Sequence, residues 1–278
     1  MTEPAPSLSG DFWLRLFPAS DYRLPMGVRP GEAKRFWGNS PEAAYVQAER
    51  RRWIAEAPER HFLFLPEAEP ATAEAVAWFS SVLGRVFRDT REAACGLEPD
   101  WVLLGGDVAS GFPVLGGALA FPSSWALEEK LGRPLAQVHD TVPGLAAAIG
   151  PQITTFLARI ATGSTWERDN WGLSADSSLN HHPAQPIARL REDAPLDATW
   201  LRLEQQFLTR LPRSRAILFG IRVTNHRLDA LLDVHPLLAG RMARALETMP
   251  ASLAEYKGLT AARPVLVRQL AALRSAFP

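Results

Sequence analysis

The stretch from Thr199 to Asn225, TWLRLEQQFLTRLPRSRAILFGIRVTN, limits the fold more than any other part of the chain. Trp200, Leu201, Leu203, Phe207 and Leu208 precede the turn signal Leu211-Pro212-Arg213-Ser214, and Ala216, Ile217, Leu218, Phe219, Ile221 and Val223 follow it. Short apolar runs rich in aromatic and β-branched residues, split by a Pro/Ser break, predict two strands joined as a hairpin. Alternation puts Arg202, Glu204, Gln206 and Leu208 on one face, with Leu201, Leu203, Gln205 and Phe207 on the other. The ionic face either meets solvent or lines a cleft for a charged ligand.

Around this hairpin the chain is balanced in charge. Lysine plus arginine and aspartate plus glutamate each number 30 in 278 residues, so no net charge draws the protein to nucleic acid or an anionic membrane. An apolar fraction of 47% is ample for a core, in one large domain or two. No stretch approaches a membrane span, and Met1 to Gly10 has neither the basic start nor the apolar run of a signal peptide. A soluble cytoplasmic protein is expected. The lone Cys95 excludes an internal disulfide and a cysteine-rich zinc or iron–sulfur site, and is expected to fill a helix face.

In chain order, residues 1–40 read as an irregular arm, because their aromatics need burial and their prolines forbid a long helix. Helices are predicted from Ser40 to about Glu56, from Ala71 to Arg91, from Ser123 or Ser124 to Leu131, and on an apolar face out to about Thr162. Trp101–Gly105, Leu115–Phe121 and Arg168–Leu173 read as strands, and the remainder, about Pro236 to Thr248, Ser252 to Tyr256 and Ala262 to Ser275, as helices. The sum is an α+β fold: an antiparallel sheet of about five strands with helices on one side, and a helical excursion between its second and third strands. Residues 1–95 would pack as arm and helices on a core of 96–230, closed by helices over 231–278, in one compact unit.

That element order is the PAS-like one, and the residues are more specific. Phe121-Pro-Ser-Ser-Trp125 with Glu129-Lys130-x-Gly132, Val138-His139 with Val142-Pro143-Gly144, and Arg168-x-Asn170-Trp171 occur in order. Arg202-x-Glu204-x-Gln206-x-Leu208-x-Arg210-Leu-Pro212-x-Ser214 and Phe219-x-Ile221-Arg222 follow, and Leu24-Pro-Met-Gly-Val-Arg29 precedes them all. Together they resemble the haem-dependent oxidative N-demethylase α-subunit-like family. The resemblance implies haem b in a PAS-like core, activating dioxygen to oxidise the methyl group of a small secondary amine such as dimethylamine. Electrons would come from NADPH through flavin and iron–sulfur partner proteins. The sequence departs from the family pattern at Phe207, at Val223-Thr224-Asn225 and at Asp140-Thr141, which leaves the substrate open.

A haem iron needs an axial donor, and neutral imidazole is a common one. His61, His139, His181, His182, His226 and His235 compete. The family stretch V-H-x-x-V-P-G singles out His139, with His181-His182 as runner-up, although those two also suit a solvated loop. Arg222, Arg210 and Lys130 are candidates for the propionates, because guanidinium forks grip carboxylates at two points. Glu204 would hold an ammonium substrate and accept its proton, with Arg202 beside it on the same face, unless the two simply pair. Trp171 and Phe219 could wall the pocket. A haem-based sensor without turnover, or a haem-free pocket for a small anion or amine, would use the same fold.

Overall fold

The computed structural model describes residues 8–276. Its centre is one antiparallel sheet made of β1 (Arg29–Pro30), β2 (Phe62–Phe64), β3 (Asp100–Leu104), β4 (Val114–Ala118), β5 (Thr165–Ser174), β6 (Trp200–Arg210) and β7 (Ile217–Arg227). The seven strands lie in the order β1-β5-β6-β7-β3-β4-β2. The five predicted strands are its long interior members. Instead of five in all there are seven among the described residues, because two short strands add on at the edges. Strands of this length carry no readable alternation, and Pro30, which cannot donate to a ladder, is tolerated at an edge.

The central hairpin runs in continuous register from Trp200↔Arg227 to Arg210↔Ile217, so the connection occupies residues 211–216. Glu74 seals this turn: its carboxylate accepts from the backbone N–H groups of Arg213 and Ser214, both at 2.7 Å. Helices cover both faces of the sheet rather than one. On the face of Trp101, Leu103, Phe207 and Leu218 the packing comes from Phe36, Trp37 and the helix Glu69–Leu83. On the opposite face Val102, Leu104, Leu208 and Ile221 meet the helix Leu145–Arg159. A third cluster joins Phe12, Trp13 and Phe17 to the carboxy-terminal helices Leu228–Val234, Leu237–Thr248, Ala251–Tyr256 and Arg263–Ala276. Gly220 has a packing reason, since an added Cβ would stand 2.6 Å from the Trp37 ring and 2.7 Å from that of Phe36.

Three predicted helices differ in extent. The one expected over Ala71 to Arg91 stops at Leu83, because Gly84 takes a left-handed conformation (φ 59°), and a new helix starts at Thr90 under the Asp89 cap. The one expected from Ser40 begins at Ala43, since the Ser40 hydroxyl donates to Glu98 at 2.7 Å. Residues 123–131 form turns, not a helix. Distant partners hold this backbone: Ser124 N–H donates to His181 O at 2.9 Å, and Pro122 O accepts from His181 N–H at 3.0 Å.

Candidate active site

Packing is incomplete on the sheet face that carries Glu204. A cavity of about 610 Å³ separates it from the helix Leu145–Arg159, the segment 135–142, the arm 15–28 and the end of the helix Ala251–Tyr256. Register decides what enters it. Asn170 stands opposite Glu204 and Arg168 opposite Gln206, so these four share a face, and on β7 Ile221 and Phe219 stand opposite Gln206 and Leu208. The ionic face of β6 is therefore turned into a cleft, not to solvent. Val102, Leu104, Ile149, Ile153, Phe156 and Leu157 supply apolar wall.

Glu204 is 8% exposed and accepts from Asn170 Nδ2 at 3.2 Å and Gln206 Nε2 at 2.9 Å. It forms no pair with Arg202. That guanidinium lines the cavity but donates to Ser123 Oγ (2.7 Å), Leu179 O (2.7 Å), Ser178 O (3.0 Å), Phe121 O (3.1 Å) and Pro122 O (3.3 Å). Burial pulls its pKa down to about 10, against the charges of Glu204, Asp100 and Asp176. It stays charged at neutral pH and fastens β6 to two loops at the cavity rim.

His139 ends the short helix Leu135–His139 and lines the cavity, where its ring makes no hydrogen bond among the described residues. Burial, and then the nearby Arg168 charge, push its pKa down to about 4, so the imidazole is neutral at pH 7. Lys130, also buried, lines the cavity with no side-chain hydrogen bond or ion pair among the described residues. Trp171 borders the cavity beside Phe17 (ring centroids 4.8 Å apart) and Tyr22 (6.1 Å).

The structure places the other two expected cations elsewhere. Arg222 stands opposite Gln205, on the far face, where it pairs with Glu98 at 2.6 Å and donates to Phe36 O and Gly38 O. Arg210 donates to Leu157 O and Ile160 O at the end of the helix Leu145–Arg159, and to Gly106 O and Arg215 O. It satisfies carbonyls that a helix end leaves free. His181 and His182 are not solvated loop residues: they are 4% and 3% exposed, hydrogen-bonded to Asp176 at 3.2 Å and Glu128 at 3.0 Å. Of the two, His181 also reaches the cavity.

Sequence reasoning assigned no role to Arg168, Lys257 or Tyr22, yet all three line the same space. Arg168 had a readable signal, since Arg168-x-Asn170 alternates on β5. Lys257 and Tyr22 had none, because they come from opposite ends of the chain. Lys257 Nζ donates to Trp171 O at 2.7 Å and lies 5.6 Å from the centre of that ring.

Residues 93–267 match the family described as haem-dependent oxidative N-demethylase, alpha subunit-like. The chain belongs to this family. The matched residues hold His139, Arg168, Glu204 and Lys257, while Leu24–Arg29 stands before them; Leu24, Pro25, Met26 and Val28 line the same cavity. Among the described residues no three His, Cys, Asp or Glu side chains gather as a metal cage, and no helix is long and apolar enough to cross a membrane. A haem iron asks the protein for only one or two axial donors, so the family's cofactor needs no such cage.

Burial lowers the Lys257 pKa from 10.5 to about 8, assisted by Arg168 and opposed by Glu204. A lowered lysine pKa means that the unfolded chain binds the extra proton between those two values. Below pH 8 the charged form therefore costs stability, by at most about 3 kcal/mol before water in the cavity screens it. Lys257→Met is expected to raise the melting temperature at pH 7, with the gain shrinking as pH rises from 8 to 10.5. Thermal melts across that range check it, and a gain independent of pH would contradict the buried charge.

Proposed function

We propose that the protein is a haem-dependent oxidative N-demethylase in which the cavity holds haem b, His139 faces the iron, and Glu204 receives the amine. The observation that carries this reading is a neutral imidazole that, among the described residues, has no hydrogen-bond partner, in the same cavity as a carboxylate that forms no ion pair with any of them. Other features support it. The volume lies within the range of about 300–1,000 Å³ usual for ligand and cofactor sites, and the walls are mostly apolar. Lys130 offers a propionate an ammonium that has no partner among the described residues. The order of the five long strands, third, fourth, fifth, first, second, supports a PAS-like core.

Haem bound here would supply dioxygen activation, passing the reductant's electrons to oxygen, and oxidation of the methyl carbon. The overall reaction consumes a secondary N-methyl amine, dioxygen, two electrons and two protons. The bond between nitrogen and methyl carbon breaks, nitrogen gains the hydrogen that the methyl group loses, one oxygen atom leaves in formaldehyde and the other in water. The electrons come from a separate reductant of the flavin and iron–sulfur class. Glu204 binds the incoming ammonium and takes its proton, which leaves the nitrogen lone pair available; Asn170 and Gln206 hold the carboxylate in place. Arg202 is a positioning residue, since its donors fasten the loops that frame the cavity.

The test is amine-dependent oxygen consumption and formaldehyde release with a surrogate reductant. Glu204→Gln keeps the shape and removes the charge. It is expected to lower kcat/KM by about 100-fold, within the usual range for a general base, without loss of haem. Equal rates in both proteins would remove Glu204 from the reaction.

A further inference from the structure

The cavity is lined by more cations than carboxylates, and since Asp21 is taken by Arg244 and Asp169 by Arg29, Glu204 is left to answer them. Arg168 and Glu204 are diagonal neighbours on β5 and β6, about 7–8 Å apart and not directly opposite each other. No carboxylate lies within ion-pair distance of Arg168 among the described residues. Among the described residues its Nε is buried with no partner, and its NH2 reaches only Pro25 O at 3.5 Å. The adjacent Asp169 is taken by Arg29 at 2.7 Å. Lys257 holds one carbonyl through one N–H, on the backbone next to Asn170, and keeps two further donors.

A simple dialkylammonium would be attracted by Glu204 and repelled by both cations. An amine that carries its own carboxylate meets both demands. We propose that the substrate class is an N-methylated amino acid, with its ammonium on Glu204 and its carboxylate on Arg168 and Lys257. This deepens, and rests on, the demethylase reading given above. The same two cations could instead take a haem propionate, and the test separates these sources of carboxylate.

Binding is measured by calorimetry on haem-loaded protein with three probes: N-methylglycine, dimethylamine and acetate. N-methylglycine is expected to bind at least about tenfold more tightly than either fragment, the scale of one charge-assisted hydrogen bond. Arg168→Gln should reduce it to the level of dimethylamine while haem content is unchanged, and Lys257→Met should weaken it in the same direction should the arginine variant fail to fold. Two results overturn the proposal: N-methylglycine binding no tighter than dimethylamine, or loss of haem in Arg168→Gln, which would assign the cation to a propionate. Haem content and dimethylamine-dependent oxygen uptake of the unaltered protein report on the demethylase reading separately. Uptake with dimethylamine but none with N-methylglycine sinks the substrate class alone.

Discussion

Asp100→Ala is expected to unfold the protein at a much lower urea concentration, by at least about 3 kcal/mol, the usual loss when one partner of a buried ion pair is removed. Arg50 and Asp100 lie 2.8 Å apart with both side chains wholly buried. The carboxylate also accepts from Ala120 N–H at 2.6 Å and Phe121 N–H at 3.0 Å. Alanine leaves a buried guanidinium without a counter-charge and two buried donors without acceptors, each orphan adding about 1–3 kcal/mol. That approaches the whole stability of an ordinary domain, about 5–15 kcal/mol. The damage reaches the site, because Phe121 O and Pro122 O are acceptors for Arg202. Replacing both partners by apolar residues, Arg50→Met with Asp100→Leu, should recover most of the loss, since exchange of a buried pair for apolar packing is often close to neutral. Urea midpoints at unchanged slope measure both. A single variant within about 1 kcal/mol of the unaltered protein would show that the pair is not the buried bond described here.

His139→Ala has a large effect of the opposite kind. The imidazole makes no hydrogen bond among the described residues, so its removal orphans none of them, and stability without cofactor should change by less than about 1 kcal/mol. Haem affinity should fall by more than the roughly 10–100-fold that follows loss of a group supporting a metal ligand, because here the donor itself is removed. Added imidazole should restore the absorption bands. Unchanged haem content and spectrum would pass the ligand to another residue, with His181, which also borders the cavity, the first to test.

The candidate site was legible where a period of two suffices. Arg202, Glu204, Gln206 and Leu208 all line the cavity, as alternation on one strand requires. Arg222 shows where that stops. Its face depends on the register across residues 211–216, and a slip of one residue turns every side chain to the other side. The turn's hold on Glu74, remote in sequence, sets that register and is invisible to local pattern. The failed helix over 123–131 has a similar cause, since Arg202 takes the Ser123 hydroxyl and His181 the Ser124 N–H, and long-range bonds outweigh a weak local propensity. His139 was singled out by family resemblance, not by spacing. Lys257 and Tyr22 came to line the same cavity as Glu204 only through packing of segments from both sides of the sequence over the sheet.

The claim on which the others rest is that the cavity takes an iron porphyrin, and the most direct measurement is haem titration into protein purified from haem-replete cells. One haem per chain, with bands that shift when an amine substrate is added, is the result this account predicts. A colourless protein that takes up no haem on titration, while still folded by circular dichroism, would contradict it.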